Sequence, residues 1–115
     1  MKRGDVYMTY FAYTDGSPPK LRPMLVVQAD YYNQKISKVL LATITSNLSR
    51  QADPAHLLVD IATAEGKSSG LHQTSLVSCL NIVVLPQSDL GEKIGHLPDN
   101  LMEKIDTCLK VAFGL

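Results

Sequence analysis

The chain has 115 residues, with 11 cationic and 11 acidic side chains and a formal net charge of zero at pH 7. A chain of this length can bury about two-thirds of its surface in one domain, so it needs no metal or disulfide to be stable. Zero net charge excludes a global field that would draw the whole protein to nucleic acid. No apolar run approaches the ~20 residues that span a bilayer, and Met1–Arg3 leads into a strand-like pattern rather than a signal peptide. We therefore predict one domain over residues 1–115, located in the cytoplasm and without a membrane segment.

The charges are unevenly distributed along the chain. Residues 1–50 hold seven cationic and three acidic side chains, a net charge of +4, whereas residues 51–115 hold four and eight, a net charge of −4. Such segregation suits a local anion-binding site, but a solvated surface would give the same pattern.

The first half of the chain predicts three strands. Residues 5–13 (DVYMTYFAY) alternate with apolar side chains on both faces, which indicates a strand covered on both sides and favours a homodimer. Residues 14–21 combine Asp-Gly with two prolines and predict an exposed loop. Residues 23–29 (PMLVVQA) and 38–45 (KVLLATIT) are apolar or β-branched and predict the second and third strands.

The second half predicts further short strands and then a helix. Residues 56–60 (HLLVD) read as a strand, 63–70 (TAEGKSSG) as a connection, and 74–85 (TSLVSCLNIVVL) as a longer strand bent near Asn81. After Pro98 the period changes to three or four, which predicts an amphipathic helix. Its apolar positions are Leu101, Met102, Ile105, Cys108, Leu109 and Ala112. The predicted fold is mainly β: a small, curled antiparallel sheet or barrel of five or six strands, covered on one side by the helix.

Several common kinds of site are absent from the sequence. The three histidines, His56, His72 and His96, have neither HxxxH nor HExxH spacing, so we predict turn or surface histidines rather than a zinc site. Cys79 and Cys108 form no CxxC pair and are predicted to be small buried hydrophobes. The chain also lacks the GxSxG and GxxxxGK[ST] motifs of acyl transfer and nucleoside triphosphate hydrolysis.

A cationic pair and a hydroxyl cluster remain as candidates. Lys20 and Arg22 precede the apolar strand that starts at Pro23. Thr43, Thr45, Ser46 and Asn47 lie at the end of the third strand. The planar fork of Arg matches a phosphate, and a hydroxyl adds a short neutral donor. The alternative is that these charges only keep a sheet edge in solution.

Five short motifs follow one another along the chain. They are RGDVY (3–7), LRPMLVVQAD (21–30) with Asn33, ATITSN (42–47), GL…S (70–75) and IGHLPDNLMEKI (94–105). Each motif is short, but together they resemble the MazF/PemK toxin family, whose order and spacing they match nearly from end to end.

This resemblance implies a fold, an activity and partners. The fold would be a small SH3-like barrel of the CcdB/PemK type with a C-terminal helix, and the protein would be a homodimer inhibited by an antitoxin peptide. It would cut single-stranded RNA without a metal or other cofactor, by attack of the 2′-hydroxyl on the adjacent phosphorus. Arg22 and Thr45 match the catalytic positions of the family, and Lys20, Ser46 and Asn47 would hold the RNA; no proton carrier is assigned. The chain departs from the family at Leu80, Asn81 and 17–19.

Two other functions remain open. CcdB toxins resemble this family in fold and bind DNA gyrase through a C-terminal aromatic-Gly-aliphatic sequence, and this chain ends in Phe113, Gly114 and Leu115. The simpler interpretation of these three residues is the frayed end of a helix. The second alternative is an RNA-binding module that has lost cleavage.

Overall fold

A computed structural model describes residues 1–13 and 15–115. Within these residues, six strands form one antiparallel sheet in the order β4-β5-β3-β2-β1-β6. The curled sheet with a terminal helix confirms the predicted fold class, and no helix in the described ranges has the length and apolar character needed to cross a membrane. The strands are β1 Asp5–Phe11, β2 Lys20–Val26, β3 Lys38–Thr45, β4 His56–Val59, β5 Ser75–Pro86 and β6 Lys93–His96; the helices are α1 Asp30–Asn33, α2 Ala64–Ser68 and α3 Asp99–Phe113.

The sheet buries apolar side chains on both faces. Successive residues of a strand point to opposite faces, and the neighbours Met24 and Leu25 are each fully buried. Leu25 belongs to a core that α3 completes with Ile105, whereas Met24 belongs to a second core on the opposite face with Leu41. The uninterrupted apolar run of β2 is explained by this coverage of both faces.

The bounds of β2 differ from the prediction in a way that affects the site. The strand spans Lys20–Val26 rather than 23–29, so Lys20 and Arg22 lie within the strand and not in the loop before it. Pro23 is tolerated because it faces Met8 of β1, while the ladder with β3 begins only at Met24. At Pro23, β2 therefore has a bonded partner on one side only, where a missing N–H costs least.

Other elements of the structure were predicted too long or were not predicted. β1 ends at Phe11 rather than at residue 13, and α1, α2 and β6 were not predicted. α2 lies inside the Gly- and Ser-rich connection, where the side chain of Thr63 accepts a hydrogen bond from the N–H of Gly66 and begins the helix.

The predicted bend of β5 is present as a bulge. Ser78 pairs with Thr43, but the next ladder pair joins Ile82 to Ala42, so residues 79–81 have no opposite residues on β3. Extra residues in one strand bend it and redirect its side chains. This bulge places Asn81 beside Ser78, where its amide Nδ2 donates to Ser78 Oγ at 3.1 Å.

Helix α3 confirms the predicted amphipathic pattern. Leu101, Met102, Ile105 and Cys108 are buried against the sheet. Its end is capped: Gly114 has φ 73°, and the N–H of Leu115 donates to Lys110 O at 2.9 Å. This is the hydrogen-bond pattern of a Schellman cap.

Both cysteines are buried, as predicted. Burial, followed by the neighbouring Cys108, raises the pKa of the Cys79 thiol to about 12. A thiol with so high a pKa is a poor nucleophile, so these residues act as packing groups.

Candidate nucleic-acid interface

Cross-strand register brings side chains from four strands to one face of the sheet. Thr43 of β3 faces Met24 of β2 on one side and Ser78 of β5 on the other, and Ser78 in turn faces His56 of β4. Arg22 lies two residues before Met24 in β2, and Thr45 lies two residues after Thr43 in β3. Because side chains alternate between the faces of a strand, Arg22 and Thr45 lie on the same face as Met24 and Thr43. Arg22, Thr45, Ser78 and His56 therefore share this face.

Arg22 packs against an aromatic ring and has a hydrogen-bond donor without a partner. Its Cζ atom lies 4.3 Å from the centroid of the Tyr13 ring, which itself packs edge-on against Phe11 at 5.3 Å. Among the described residues, none accepts a hydrogen bond from the buried Nε of Arg22. A buried donor without a partner is costly. Arg22 is therefore a half-buried cation that forms no ion pair with a described residue.

Two cavities meet at Arg22 and Thr45. The first, of about 340 Å³, is otherwise lined by residues that include Lys20, Ser46, Leu71, His72 and Gln73. The second, of about 360 Å³, is otherwise lined by residues that include Tyr13, Asn47, Arg50, His56, Ser78 and Asn81. Since Arg22 and Thr45 line both, they form the wall that the two cavities share.

The structure brings all five predicted site residues to these cavities. Lys20 and Ser46 line the first cavity, Asn47 lines the second, and Arg22 and Thr45 line both. Thr45 Oγ1 accepts a hydrogen bond from the Asn47 N–H at 3.1 Å, which orders the turn after β3. The hydroxyl proton of Thr45 is left to donate into the cavity.

His56 is the residue that the sequence interpretation missed. Its side chain is buried, with 9 % of the residue exposed, so the prediction of a turn or surface histidine is wrong here, although His72 and His96 are exposed. His56 Nε2 lies 3.0 Å from Ser78 Oγ, and Nδ1 lies 3.3 Å from Asp53 Oδ1. The sequence held no signal for this contact, because Ser78 lies 22 residues further along the chain.

The carboxylate beside His56 is anchored independently of it. The Ala55 N–H donates to Asp53 Oδ1 at 2.8 Å and is the largest cause that lowers the pKa of Asp53, followed among the lowering causes by His56. Asp53 therefore stays ionised across the neutral range and faces the imidazole as a fixed negative charge.

Other residues of the resembling motifs form a structural group away from the cavities, here called the motif network: Arg3, Gln28, Asp30 and Asn33. Gln28 Nε2 donates to Asn33 Oδ1 at 3.0 Å, and Asn33 Nδ2 donates to Gln28 O at 3.1 Å. The Arg3 N–H donates to Asp30 Oδ1 at 2.6 Å, while Arg3 Nη2 pairs with Asp106 at 2.7 Å. These bonds join the N-terminus, α1 and α3, so this part of the motif pattern holds the fold together.

The glycine of the GL…S motif is also structural. Gly70 has φ +74°, and a Cβ atom there would lie 2.0 Å from Ile94 O. Only glycine permits both this backbone conformation and this approach. It sets the path of the chain into Leu71 and His72, which line the first cavity.

Comparison with known proteins identifies the family. Residues 2–113 match the family described as PemK-like, MazF-like toxin of type II toxin-antitoxin system. The match covers nearly the whole chain, so the protein belongs to this family, and the resemblance seen in the sequence is confirmed.

Curated and structural relatives agree with this assignment. The endoribonuclease MazF2 of Mycobacterium bovis is 33% identical over 117 residues, covering 100% of this chain and 98% of the relative. The endoribonuclease EndoA of Bacillus subtilis is 31% identical over 116 residues, covering 100% and 96%. A mycobacterial endoribonuclease in complex with its cognate antitoxin superposes with a TM-score of 0.81 at 26% identity, covering 100% of this chain and 96% of that one. The predicted class of enzyme, an endoribonuclease of this family, is confirmed by these relatives.

Proposed function

We propose that this MazF-like toxin cuts single-stranded RNA, without a metal, by attack of the ribose 2′-hydroxyl on the adjacent phosphorus. The products would be a 2′,3′-cyclic phosphate and a 5′-hydroxyl. The observation that carries this proposal is the guanidinium of Arg22, which forms no ion pair with a described residue and lies on the wall shared by two cavities. A phosphate at that wall would have one neighbouring nucleotide in each cavity.

Arg22 and Thr45 have complementary parts in this chemistry. Negative charge grows on the non-bridging oxygens as the 2′ oxygen attacks, and a fixed guanidinium stabilises that state more than the ground state. The hydroxyl of Thr45 donates to a phosphate oxygen without adding charge. Arg22 does not transfer the proton itself, because a guanidinium stays protonated in proteins.

Lys20, Ser46 and Asn47 bind the RNA on either side of the cut. Lys20 and Ser46 are exposed in the first cavity, and Asn47 is exposed in the second. A cation and neutral polar groups at these positions fit phosphates and sugar hydroxyls of a single strand. We expect their removal to weaken binding more than it slows the chemical step.

The toxin works in the cytoplasm as a homodimer and is inhibited by an antitoxin. One solved relative was determined in complex with its cognate antitoxin. An acidic extended segment would place carboxylates against Arg22 and Lys20, the same donors that bind phosphate. Inhibition would then be competitive with RNA.

The proposal is tested with purified protein and a long single-stranded RNA in EDTA. We expect wild-type protein to yield fragments with cyclic phosphate ends, and Arg22→Ala to cut about 10²–10³-fold more slowly because one transition-state donor is lost. Lys104→Ala removes an exposed cation from α3 and is the matched control, expected to cut at the wild-type rate. Equal cleavage by Arg22→Ala and wild type would contradict the role of Arg22.

The same assay separates the nuclease from a gyrase-binding toxin. Phe113 and Leu115 are 65% and 90% exposed at the end of α3, and neither is among the residues that line the two cavities. Deleting residues 113–115 should therefore leave RNA cleavage unchanged. Loss of growth arrest with intact cellular RNA would favour gyrase instead.

A further inference from the structure

We infer that His56 accepts the proton of the attacking 2′-hydroxyl, through the hydroxyl of Ser78. This inference rests on the proposed RNA cleavage and supplies the proton acceptor that Arg22 cannot provide. His56 and Ser78 line the same cavity as Arg22 and Thr45. His56 and Ser78 therefore lie in the cavity in which the phosphate would bind.

The hydrogen bonds around Ser78 allow its hydroxyl to donate to His56 in the tautomer that carries its proton on Nδ1. Asn81 Nδ2 can only donate, and it donates to Ser78 Oγ at 3.1 Å. The hydroxyl proton of Ser78 is therefore free to point at His56 Nε2, 3.0 Å away. In that tautomer the proton on Nδ1 faces Asp53 Oδ1 at 3.3 Å. A hydroxyl, an imidazole and a carboxylate thus follow one another, with Ser78 and His56 buried and Asp53 partly exposed.

The proton transfers balance along this chain of groups. As the 2′ oxygen bonds to phosphorus, its proton passes to Ser78 Oγ, and the proton of Ser78 passes to His56 Nε2. The bond from phosphorus to the 5′ oxygen breaks, and that oxygen takes a proton from solvent water. The imidazolium returns its proton to the resulting hydroxide. Ser78 has 2 % of its surface exposed and serves only as a relay, never as a nucleophile.

The geometry around His56 fits a group that becomes charged during the reaction. His56 Nδ1 is buried, and among the described residues none makes a hydrogen bond with it, since Asp53 lies close but poorly aligned. A histidine kept only for packing would be expected to have both ring nitrogens satisfied. Contacts of catalytic groups are often long before substrate binds and shorten in the complex. Protonation of the ring would strengthen the contact with Asp53.

The charged groups facing His56 determine how the rate should depend on pH. Asp53, in the preceding turn, lies 3.3 Å from His56 Nδ1. The other charged side chains that line the same cavity are Arg22 of β2, Arg50 of the loop after β3 and Asp15 of the loop after β1. β5 contributes the uncharged side chains of Leu76, Ser78 and Asn81, and Tyr13 adds a neutral phenol. The relay requires His56 Nε2 to be free to accept a proton, so cleavage that depends on it should fall on the acid side of the pH profile.

The test compares His56→Gln, Ser78→Ala and the double variant with wild type on RNA containing a mapped cut site. We expect kcat to fall by about 10²–10⁴-fold for His56→Gln with little change in KM, and the acid limb of the pH profile to disappear. The double variant should be no slower than the slower single variant, because groups acting as one unit are not additive. His96→Gln changes an exposed histidine on β6 and should match wild type. Thermal unfolding shows that each variant is folded, and Ser78→Ala carries the test if His56→Gln is not.

A substrate with sulfur in place of the 5′ oxygen shows whether His56 acts as the general base or as the general acid. A thiolate leaves without protonation, so the defect of His56→Gln should persist on this substrate. A defect that vanishes would make His56 the acid and overturn the inference, as would wild-type cleavage by His56→Gln with its acid limb intact. In both of those cases the dependence on Arg22 would still support the proposed function. If wild-type protein cuts no RNA, the proposed function fails, and the relay fails with it.

Discussion

The motif network and the Arg22 site are both polar, yet their hydrogen bonding is opposite. The network and Arg22 itself come from the motifs shared with the family, whereas His56 of the Arg22 site lies outside them. In the motif network, Gln28 and Asn33 satisfy each other through paired bonds of 3.0 and 3.1 Å. At the Arg22 site, the buried Nε of Arg22 and Nδ1 of His56 lack hydrogen-bond partners among the described residues. The two sites therefore differ in whether their buried polar atoms have hydrogen-bond partners within the described residues, a difference that the motifs themselves do not reveal.

This difference has a physical cause. A satisfied buried network stabilises one arrangement of the chain, whereas an unpaired buried donor costs about 1–3 kcal/mol. A fold retains such an unpaired polar group where a bound partner can form the missing hydrogen bond. We therefore expect substitutions in the motif network to change stability, and substitutions at the Arg22 site to change activity.

The largest effect that sharpens this comparison is expected at Asn33. Asn33→Ala removes the donor to Gln28 O and one of the two acceptors of Gln28 Nε2, which keeps only its bond to Lys38 O at 2.9 Å. We expect a loss of about 1–3 kcal/mol in the free energy of unfolding, measured by urea titration, with kcat of the folded protein unchanged. Asn100→Ala, on the exposed side of α3, is the control and should unfold like wild type. A normal stability with reduced kcat would break the comparison.

A smaller effect is expected at Tyr13, whose ring lies 4.3 Å from the guanidinium of Arg22. Tyr13→Leu should reduce RNA cleavage about two- to fivefold, because a cation–π contact near the surface contributes about 0.5–1 kcal/mol. Tyr13→Phe keeps the ring and should cleave like wild type. Equal losses in both variants would show that the phenol oxygen matters rather than the ring.

The smallest effect concerns pH and Asp30. The Arg3 N–H, as the largest cause, holds the pKa of Asp30 below its ordinary value of 3.8, and the Asn33 side chain acts in the same direction. Because the folded pKa is lower than the unfolded one, the contribution to stability is complete above pH 3.8 and is lost as the pH falls through the folded pKa. Thermal unfolding between pH 5 and 2 should show a shallower acid decline for Asp30→Asn than for wild type. Asp89→Asn, an exposed carboxylate, should decline like wild type.

Local patterns predicted those elements whose ends carry a clear signal. β3 spans residues 38–45 as predicted, because Ser46 and Asn47 follow a β-branched run directly. β6 was missed because its four residues, KIGH, are too few to show alternation, and its position depends on pairing with β1. The start of β2 was misjudged because Pro23 looked like a boundary, whereas tertiary pairing allows it inside the strand.

The site was predicted only as far as the motifs reach. Arg22, Thr45, Lys20, Ser46 and Asn47 were candidates from their chemistry and their positions at strand ends, and the resemblance gave them roles. The structure shows that they line the two cavities. The contact of His56 with Ser78 depends on the register of β4 against β5, which no local pattern encodes.

The two cavities have separate walls apart from Arg22 and Thr45, and this has a consequence for engineering. His72 and Gln73 belong to one cavity only, and Ser49 and Arg50 to the other. Libraries at each pair can be screened independently and then recombined, since Arg22 and Thr45 stay constant. If RNA is cut at this wall as proposed, base preference upstream and downstream of the scissile bond would become two independently adjustable properties.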